Sequence, residues 1–158
     1  MSENQIMTDE KNLDDLNGRY LSFYIDDTFY GIELFHVTEI ISILPITFVP
    51  SLPAYIKGII NLRGKVVPVI DVRLKFGQEE RPYDDKTCII VVLVEDMQVG
   101  LIVDSVAEVV SIHDGQSNTL PDLGRQGERY LSSISKIGDR SILNIDCNKF
   151  FQNDLQLY

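Results

Sequence analysis

The sequence has only two cysteines and two histidines among its 158 residues, and this shortage argues against several kinds of site. Cys88 and Cys147 show neither metal-ligand spacing nor the pattern of a disulfide framework, so we expect both to be reduced packing residues. His36 and His113 are too few for a metal cluster. No Ser or Cys stands in a recognisable nucleophile motif. We therefore expect no metal site and no cofactor.

Positive charge is also scarce, because 14 Lys and Arg stand against 24 Asp and Glu and the formal net charge is −10. An acidic surface repels phosphate backbones, which argues against nucleic-acid binding. The longest apolar run, Cys88–Val94, is far shorter than the roughly 18 residues that a membrane span requires. The N-terminus lacks the basic-then-apolar order of a signal peptide. We expect a cytoplasmic protein without direct membrane insertion.

Helix signals are few, whereas short Val- and Ile-rich segments separated by Asp or Gly turns fill most of the chain. Helical signals are limited to a turn at Pro53–Lys57 and to segments after Asp71 and Asp146, whose side chains can cap backbone N–H groups. Gly77 would end the first of these segments. Short connections favour antiparallel pairing, so we predict an all-β fold of two small barrels. The predicted strands are residues 19–25, 29–33, 37–44, 58–62, 65–70, 87–94, 98–103, 106–112, 132–137 and 141–145.

The sequence contains an internal duplication. Tyr55–Asp71 recurs in altered form as Tyr130–Asp146, and Phe23–Ile40 matches Val92–Val109. Two copies are fewer than stacked repeat folds require, so the pattern indicates two related halves of one fold.

The duplication and the composition predict the domain organisation. Two halves, roughly residues 19–77 and 86–151, would each be marginal alone, so we expect them to share a boundary or to exchange strands within one domain, 19–158. Residues 1–18 are acidic and lack apolar periodicity, and we predict that they form a disordered tail.

Two carboxylates occupy matching positions of the duplicated halves. Asp71 and Asp146 could form an acid/base pair, as carboxylates from duplicated halves can. The simpler interpretation is that each caps a short helix. The residues that follow them do not supply the small, Gly-containing loop that a catalytic pair needs, so the sequence favours the caps.

Arg63 has no counterpart in the second copy, where Gly138 stands at the matching position. An isolated buried charge is very costly, so Arg63 must either leave the apolar layer at the Gly64 bend or pair with a carboxylate such as Glu39 or Glu33. One interpretation is an Arg–carboxylate strut that pins two strands. The other is a bidentate donor at a surface groove, a role enriched at interaction hot spots.

Several motifs stand together in this chain: Tyr20 to Ile25, Tyr30-Gly-Ile, Val37-Thr-Glu39-Ile, Pro53-Ala-Tyr-Ile-Lys-Gly58, Asn61-Leu-Arg-Gly64, Val67-Pro-Val-Ile-Asp71-Val-Arg and Val99-Gly-Leu-Ile-Val-Asp104. Together they resemble the CheW coupling proteins of bacterial chemotaxis. The resemblance covers nearly everything from Arg19 to Phe151, and the Asn-Leu-Arg-Gly motif is quite specific.

The resemblance implies two intertwined five-stranded, SH3-like barrels. It also implies a non-catalytic adaptor that joins the cytoplasmic hairpin tips of methyl-accepting chemotaxis receptors to the regulatory domain of the histidine kinase CheA, in arrays at the membrane. The residues implied in receptor binding are Arg63, Val37, Glu39, Gly58 and Val109. The residues that face the kinase are not assigned.

Two alternatives remain at this point. The nearer one is the same fold serving a pilus or surface-motility pathway, or a coupling module like that of CheV. The more distant one is a small-ligand barrel or an enzyme that uses Asp71 and Asp146.

Overall fold

The structure, a computed structural model, describes residues 16–113, 117–118 and 129–152. Strands dominate these ranges, with two one-turn helices and a 3-10 turn at Leu34–His36. The helices are α1 (Val72–Lys75) and α2 (Cys147–Phe150). The strands are β1 (Arg19–Ile25), β2 (Thr28–Glu33), β3 (Val37–Ser42), β4 (Ile56–Leu62), β5 (Lys65–Asp71), β6 (Cys88–Val94), β7 (Met97–Val103), β8 (Ser105–Ser111), β9 (Ser117–Asn118), β10 (Leu131–Ile137) and β11 (Arg140–Ile145). The all-β prediction is confirmed.

All ten predicted strands are present, and their ends differ from the prediction by no more than two residues. The two-residue strand β9 was not predicted. The segment at Pro53–Lys57 is a turn in which the Ile56 N–H donates to the Pro53 carbonyl over 3.0 Å, and β4 already begins at Ile56. Gly77 follows α1 with a φ of 81°, as expected for a helix end.

The strands form two sheets, and each sheet takes strands from both halves of the chain. The first barrel has the order β8-β1-β2-β11-β10, with β9 at its edge. The second barrel has the order β3-β6-β7-β5-β4. If each strand is replaced by its counterpart in the other half, the first order becomes the second. The barrels are therefore intertwined, as the resemblance implied, and related by a pseudo-two-fold symmetry.

Strands joined by tight turns pair antiparallel, as predicted, but two further pairings between distant strands are parallel. β2 pairs parallel with β11, and β5 pairs parallel with β7. Parallel neighbours need a long connection. Strand exchange supplies it, because the paired strands come from opposite halves of the chain. At these crossings Gly31 lies opposite Asn144, and Gly100 lies opposite Val69 in the matching register.

The largest apolar cluster is shared by the two barrels, and it includes Phe23 of β1, Ile90 of β6 and Phe150 of α2. A second cluster fills the second barrel with Val69 and Val91, among others. Successive residues of β6 thus alternate between the two clusters, as a strand buried on both faces requires.

The interiors of the two barrels differ in polarity. Ile60, Val69 and Val91 belong to the apolar cluster of the second barrel. The matching positions of the first barrel carry Ser135, Asn144 and Ser22, all of which are buried. The Asn144 side-chain amide donates to the hydroxyls of Ser133 and Ser135 over 3.0 and 2.8 Å.

The packed part of the chain begins before Arg19, within the predicted tail of residues 1–18. Leu16 is buried in the shared cluster, and the Gly18 carbonyl accepts a 2.7 Å hydrogen bond from the Ile112 N–H. Residues 1–15 of the predicted tail lie outside the described residues. None of the helices in the described ranges has the length and apolar character needed to cross a membrane.

Candidate functional site

Arg63 occupies the tip of the hairpin formed by β4 and β5. Arg63 and Gly64 form its two-residue turn with φ values of 52° and 84°, and the Asn61 side chain accepts a 2.9 Å hydrogen bond from the Gly64 N–H. The left-handed conformation is unfavourable for a residue with a Cβ atom. At the matching turn between β10 and β11, Gly138 adopts a φ of 60°. Arg63 is therefore held in a conformation for which the second copy uses glycine.

The side chain of Arg63 forms an ion pair with Glu39 of β3. Its Nη1 donates to Glu39 Oε2 over 2.6 Å, and this hydrogen bond raises the pKa of Arg63. The exposures are unequal, because 65% of the Arg63 side chain is exposed against 10% for Glu39. Glu39 is confirmed as the partner that the sequence suggested. The other suggested partner, Glu33, is exposed at the end of β2 in the first barrel.

The ion pair connects the two edges of the second barrel. Glu39 lies on edge strand β3, and Arg63 follows the opposite edge strand β4. Next to it, Thr47 and Ile59 form an antiparallel bridge with hydrogen bonds of 2.8 and 2.9 Å. The second carboxylate oxygen of Glu39 is buried and has no hydrogen-bond partner among the described residues. Arg63 thus neutralises a mostly buried carboxylate while most of its own side chain faces solvent.

The remaining residues implied in receptor binding have different surroundings. Val37 is fully buried on β3. Gly58 lies at a bulge in β4, where an added Cβ atom would be only 2.0 Å from the Thr47 carbonyl oxygen. Val109 is half-buried on β8 of the first barrel. The structure therefore brings Arg63 and Glu39 into contact, places Val37 and Gly58 on strands of the same barrel, and places Val109 on a strand of the other.

Asp71 and Asp146 cap α1 and α2, which confirms the interpretation that the sequence favoured. Asp71 Oδ1 accepts from the Leu74 N–H over 3.2 Å, and Asp146 Oδ1 accepts from the Lys149 N–H over 3.1 Å. Asp71 Oδ2 also accepts from the Tyr83 hydroxyl over 2.8 Å. The pKa of Tyr83 is raised by burial and by the charge of Asp71.

The two carboxylates do not form a pair. Asp71 ends β5 of the second barrel, whereas Asp146 follows β11 of the first. The cavity beside Asp71 and Tyr83 measures about 10 Å³, roughly the space of one water molecule and too small for a substrate.

The cysteines and histidines occupy structural positions. Cys147 begins α2 and is buried, and burial raises the pKa of its thiol. Cys88 begins β6, and its thiol donates to the Lys86 carbonyl over 3.3 Å. His36 belongs to the 3-10 turn, and His113 is exposed. In the described part of the chain, no group of three His, Cys, Asp or Glu residues is placed to hold a metal ion.

A second ionic group joins the barrels, and sequence reasoning missed it. Arg73 of α1 donates to both carboxylate oxygens of Asp26, over 3.0 and 2.7 Å, and also to Asp104. Arg81 contacts the same two carboxylates over 3.5 and 3.2 Å. We call these four residues the ionic cluster. Arg73 and Asp104 belong to the motifs that carry the family resemblance, but nothing in a linear pattern pairs charges that lie 23 to 55 positions apart.

Comparison with known proteins agrees with this arrangement. The sequence model of the CheW-like domain matches residues 19–155. The chemotaxis protein CheW of Klebsiella aerogenes is 33% identical over 136 residues, which cover 85% of this chain and 82% of that protein. The chemotaxis protein CheW of Bacillus subtilis is 32% identical over 131 residues, covering 82% and 84% respectively.

A solved structure shares the fold. The crystal structure of the scaffolding protein TtCheW from Thermoanaerobacter tengcongensis superposes with a TM-score of 0.80 at 33% identity, and the match covers 87% of this chain and 94% of that one. The family model spans most of the chain, and the two relatives are similar over 82% and 84% of their own length. From its sequence and its intertwined barrels alike, the chain belongs to the CheW-like family.

Proposed function

We propose that this chain is a non-catalytic adaptor that couples methyl-accepting chemotaxis receptors to the histidine kinase CheA. The CheW-like family consists of scaffolding and adaptor proteins without enzymatic activity. Its members' role is to connect receptors with the kinase in signalling arrays. In this proposal the protein is cytoplasmic and is recruited to membrane-associated arrays by its two partners.

The observation that carries the proposal is the presentation of Arg63. A mostly exposed guanidinium stands at a hairpin tip, in a backbone conformation where the second copy has glycine. Only one edge of the guanidinium binds Glu39. A planar guanidinium has five N–H donors, so its remaining donors suit a carboxylate or carbonyl group of a partner. We assign to this tip the binding of the cytoplasmic hairpin of a receptor.

The other residues of the proposed receptor site act in different ways. Glu39 orients the guanidinium of Arg63 through their ion pair. Val37 and Gly58 are too deeply buried for broad contact with a partner, so we assign them to shaping the edges of the second barrel. Val109 is accessible enough to contribute an apolar contact from the first barrel.

The test uses three variants: Arg63→Glu, Arg63→Gly and the double variant Arg63→Gly with Glu39→Gln. Glycine adopts the left-handed turn without strain, so Arg63→Gly removes the guanidinium and leaves Glu39 without its ion pair. The double variant also removes the unpaired buried charge, which lowers the desolvation cost. Thermal melts, affinity for a receptor cytoplasmic fragment and affinity for the regulatory domain of CheA are measured for each.

We expect all three variants to lose receptor affinity by at least about tenfold, as for a binding hot spot, and to keep their kinase affinity. The melting temperature should fall in the single variants and recover in the double variant. If the double variant recovers both its melting temperature and its receptor affinity, Arg63 is only a strut. Wild-type protein that binds neither fragment would refute the adaptor function itself.

A further inference from the structure

The ionic cluster connects elements that belong to different barrels. Asp26 lies in the turn between β1 and β2 of the first barrel, and Arg73 lies on α1, which follows β5 of the second. Asp104 is the single residue between β7 of the second barrel and β8 of the first. Its backbone N–H donates to the Tyr24 carbonyl over 3.1 Å, and its side chain accepts from the Asp26 N–H over 2.7 Å. Arg73 therefore binds Asp104, the residue at which the chain passes from the second barrel to the first.

The geometry of this contact is suited to holding an orientation. Only 8% of the Arg73 side chain is exposed, and its planar guanidinium contacts both oxygens of Asp26. Bidentate Arg–carboxylate pairs fix geometry more strictly than single hydrogen bonds do. The partial burial of the pair also reduces its screening by salt. Arg81 is about half exposed and sits at the rim of the same cluster.

Among the described residues, the pseudo-symmetric position on the other side of the molecule has no such contact. The residues that match Arg73, Asp26 and Asp104 are Asn148, Glu95 and Phe35, all of which are exposed. Asn148 thus supplies no cation in place of Arg73, and Phe35 supplies no carboxylate in place of Asp104. Within the described part of the chain, this ionic contact between the barrels is thus present on one side and not at the pseudo-symmetric position.

We propose that Arg73 is a positioning residue, and that its contacts with Asp26 and Asp104 set the orientation of one barrel relative to the other. This inference rests on the proposed adaptor function, because a receptor site centred on Arg63 of the second barrel and a kinase site elsewhere on the chain would need a fixed mutual geometry. Loss of the contact leaves the receptor-binding surface and the kinase-binding surface intact. It impairs the transmission of the receptor signal to the kinase. A merely structural role predicts lower stability without a change of orientation.

The experiment measures the distance between spin labels on the two barrels in the full-length chain. Exposed Ser42 on β3 and exposed Ser141 on β11 are replaced by cysteine in a Cys88→Ser background, and buried Cys147 is left in place. The first variant, Arg73→Lys, keeps the positive charge but cannot form the bidentate contact. The second, Arg73→Met, removes the charge as well. Arg81→Met is the matched control, because it removes a cation from the rim and not the bidentate contact.

We expect the distance distribution to broaden or shift in both Arg73 variants and to stay unchanged in Arg81→Met. Receptor and kinase affinities measured separately should remain within threefold of wild type, while kinase activation in the three-component assembly falls at least fivefold. An unchanged distance distribution in both Arg73 variants would overturn the proposal, as would a loss of separate affinities equal to the loss of activation. If wild-type protein does not couple the partners, the adaptor function fails, whereas the distances still decide the role of Arg73.

Discussion

At the scale of single residues, the duplicated Tyr and Asp positions perform one local task in both halves. The Tyr55 carbonyl accepts from the Asp71 N–H over 2.7 Å, and the Tyr130 carbonyl accepts from the Asp146 N–H over 2.9 Å. Each Asp then caps the helix that follows it. The two halves therefore share this Tyr–Asp arrangement because it ends a strand and starts a helix. They differ where one half makes a contact that the other half lacks. The hydrogen bond from the Tyr83 hydroxyl to the Asp71 carboxylate is such a contact.

The caps give a prediction about stability. Asp146→Ala should lower the free energy of unfolding by about 0.5 to 2 kcal/mol, the usual cost of a lost N-cap. Asp71→Ala should cost more, because the half-buried Tyr83 hydroxyl also loses its acceptor. Urea unfolding of both variants checks the order, and partner binding should be kept in both. Equal losses would contradict the contribution of Tyr83, and lost partner binding with unchanged stability would contradict the cap assignment.

The ionic cluster gives a prediction about pH. The hydrogen bond from Arg73 holds the pKa of Asp26 below its usual value, with smaller contributions from the charges of Arg73 and Arg81. A carboxyl whose pKa is lowered in the folded state stabilises the fold above its unfolded pKa of about 3.9 and loses this contribution as the pH falls through its folded pKa. The difference in unfolding free energy between wild type and Arg73→Met should therefore shrink below about pH 4. A difference that stays constant between pH 7 and pH 3 would contradict the assignment.

At the scale of elements, the two parallel crossings depend on their glycines. A Cβ atom at Gly100 would lie 2.7 Å from Ile89 Cγ2 and 2.9 Å from Val69 Cγ1. A Cβ atom at Gly31 would lie 2.7 Å from Ile142 Cδ1. The methyl groups near Gly100 are attached directly to Cβ atoms and cannot move far, whereas Ile142 Cδ1 is the end of a flexible side chain.

We expect Gly100→Ala to destabilise the protein by about 1 to 3 kcal/mol through overpacking, and Gly31→Ala to cost less. Gly64→Ala is the control, because nothing lies within 4 Å of its added Cβ atom and only its φ of 84° is unfavourable. Chemical unfolding of the three variants gives the order. A larger cost at Gly31 would show that the surroundings of Ile142 are as rigid as those of Gly100.

The elements also show what a sequence can and cannot predict. Strands, turns and caps are specified locally, by alternation, by Gly and Asp turns and by the side chain of Asp71, so they were predicted with small errors at their ends. Parallel pairing was missed because it depends on which distant strand is the neighbour. The contact between Arg63 and Glu39 was within reach, since the apolar surroundings of Arg63 required a carboxylate nearby. The contact between Arg73 and Asp26 required the strand exchange to be known first.

At the scale of the whole molecule, the side chains specify the exchange of strands. A half that folded on itself would use β1 and β2 where the second barrel has β6 and β7. It would then place Ser22 and Tyr20 among the apolar partners of Val91 and Ile89, and Glu33 at the position of Ile102. In the second half, Asn144 and Ser135 would face the apolar strand β6. Buried polar groups without hydrogen-bond partners are costly. The exchanged arrangement is preferred because its Asn144 amide donates to Ser133 and Ser135, and the Ser22 hydroxyl donates to the Glu108 carbonyl.

This argument predicts the behaviour of the separated halves. Fragments 1–78 and 86–158 should each be unfolded by circular dichroism and amide NMR, because each lacks the strands that complete both of its sheets. An equimolar mixture should recover the spectrum of the intact chain, since the two fragments together contain every strand of both barrels. The matched variant carries Asn144→Val and Ser135→Ile in fragment 86–158, which gives that half an apolar interior of its own and should let it fold alone at least in part. A dispersed spectrum from either unmodified fragment would show instead that a half can close its own barrel, and that the polar positions do not enforce the exchange.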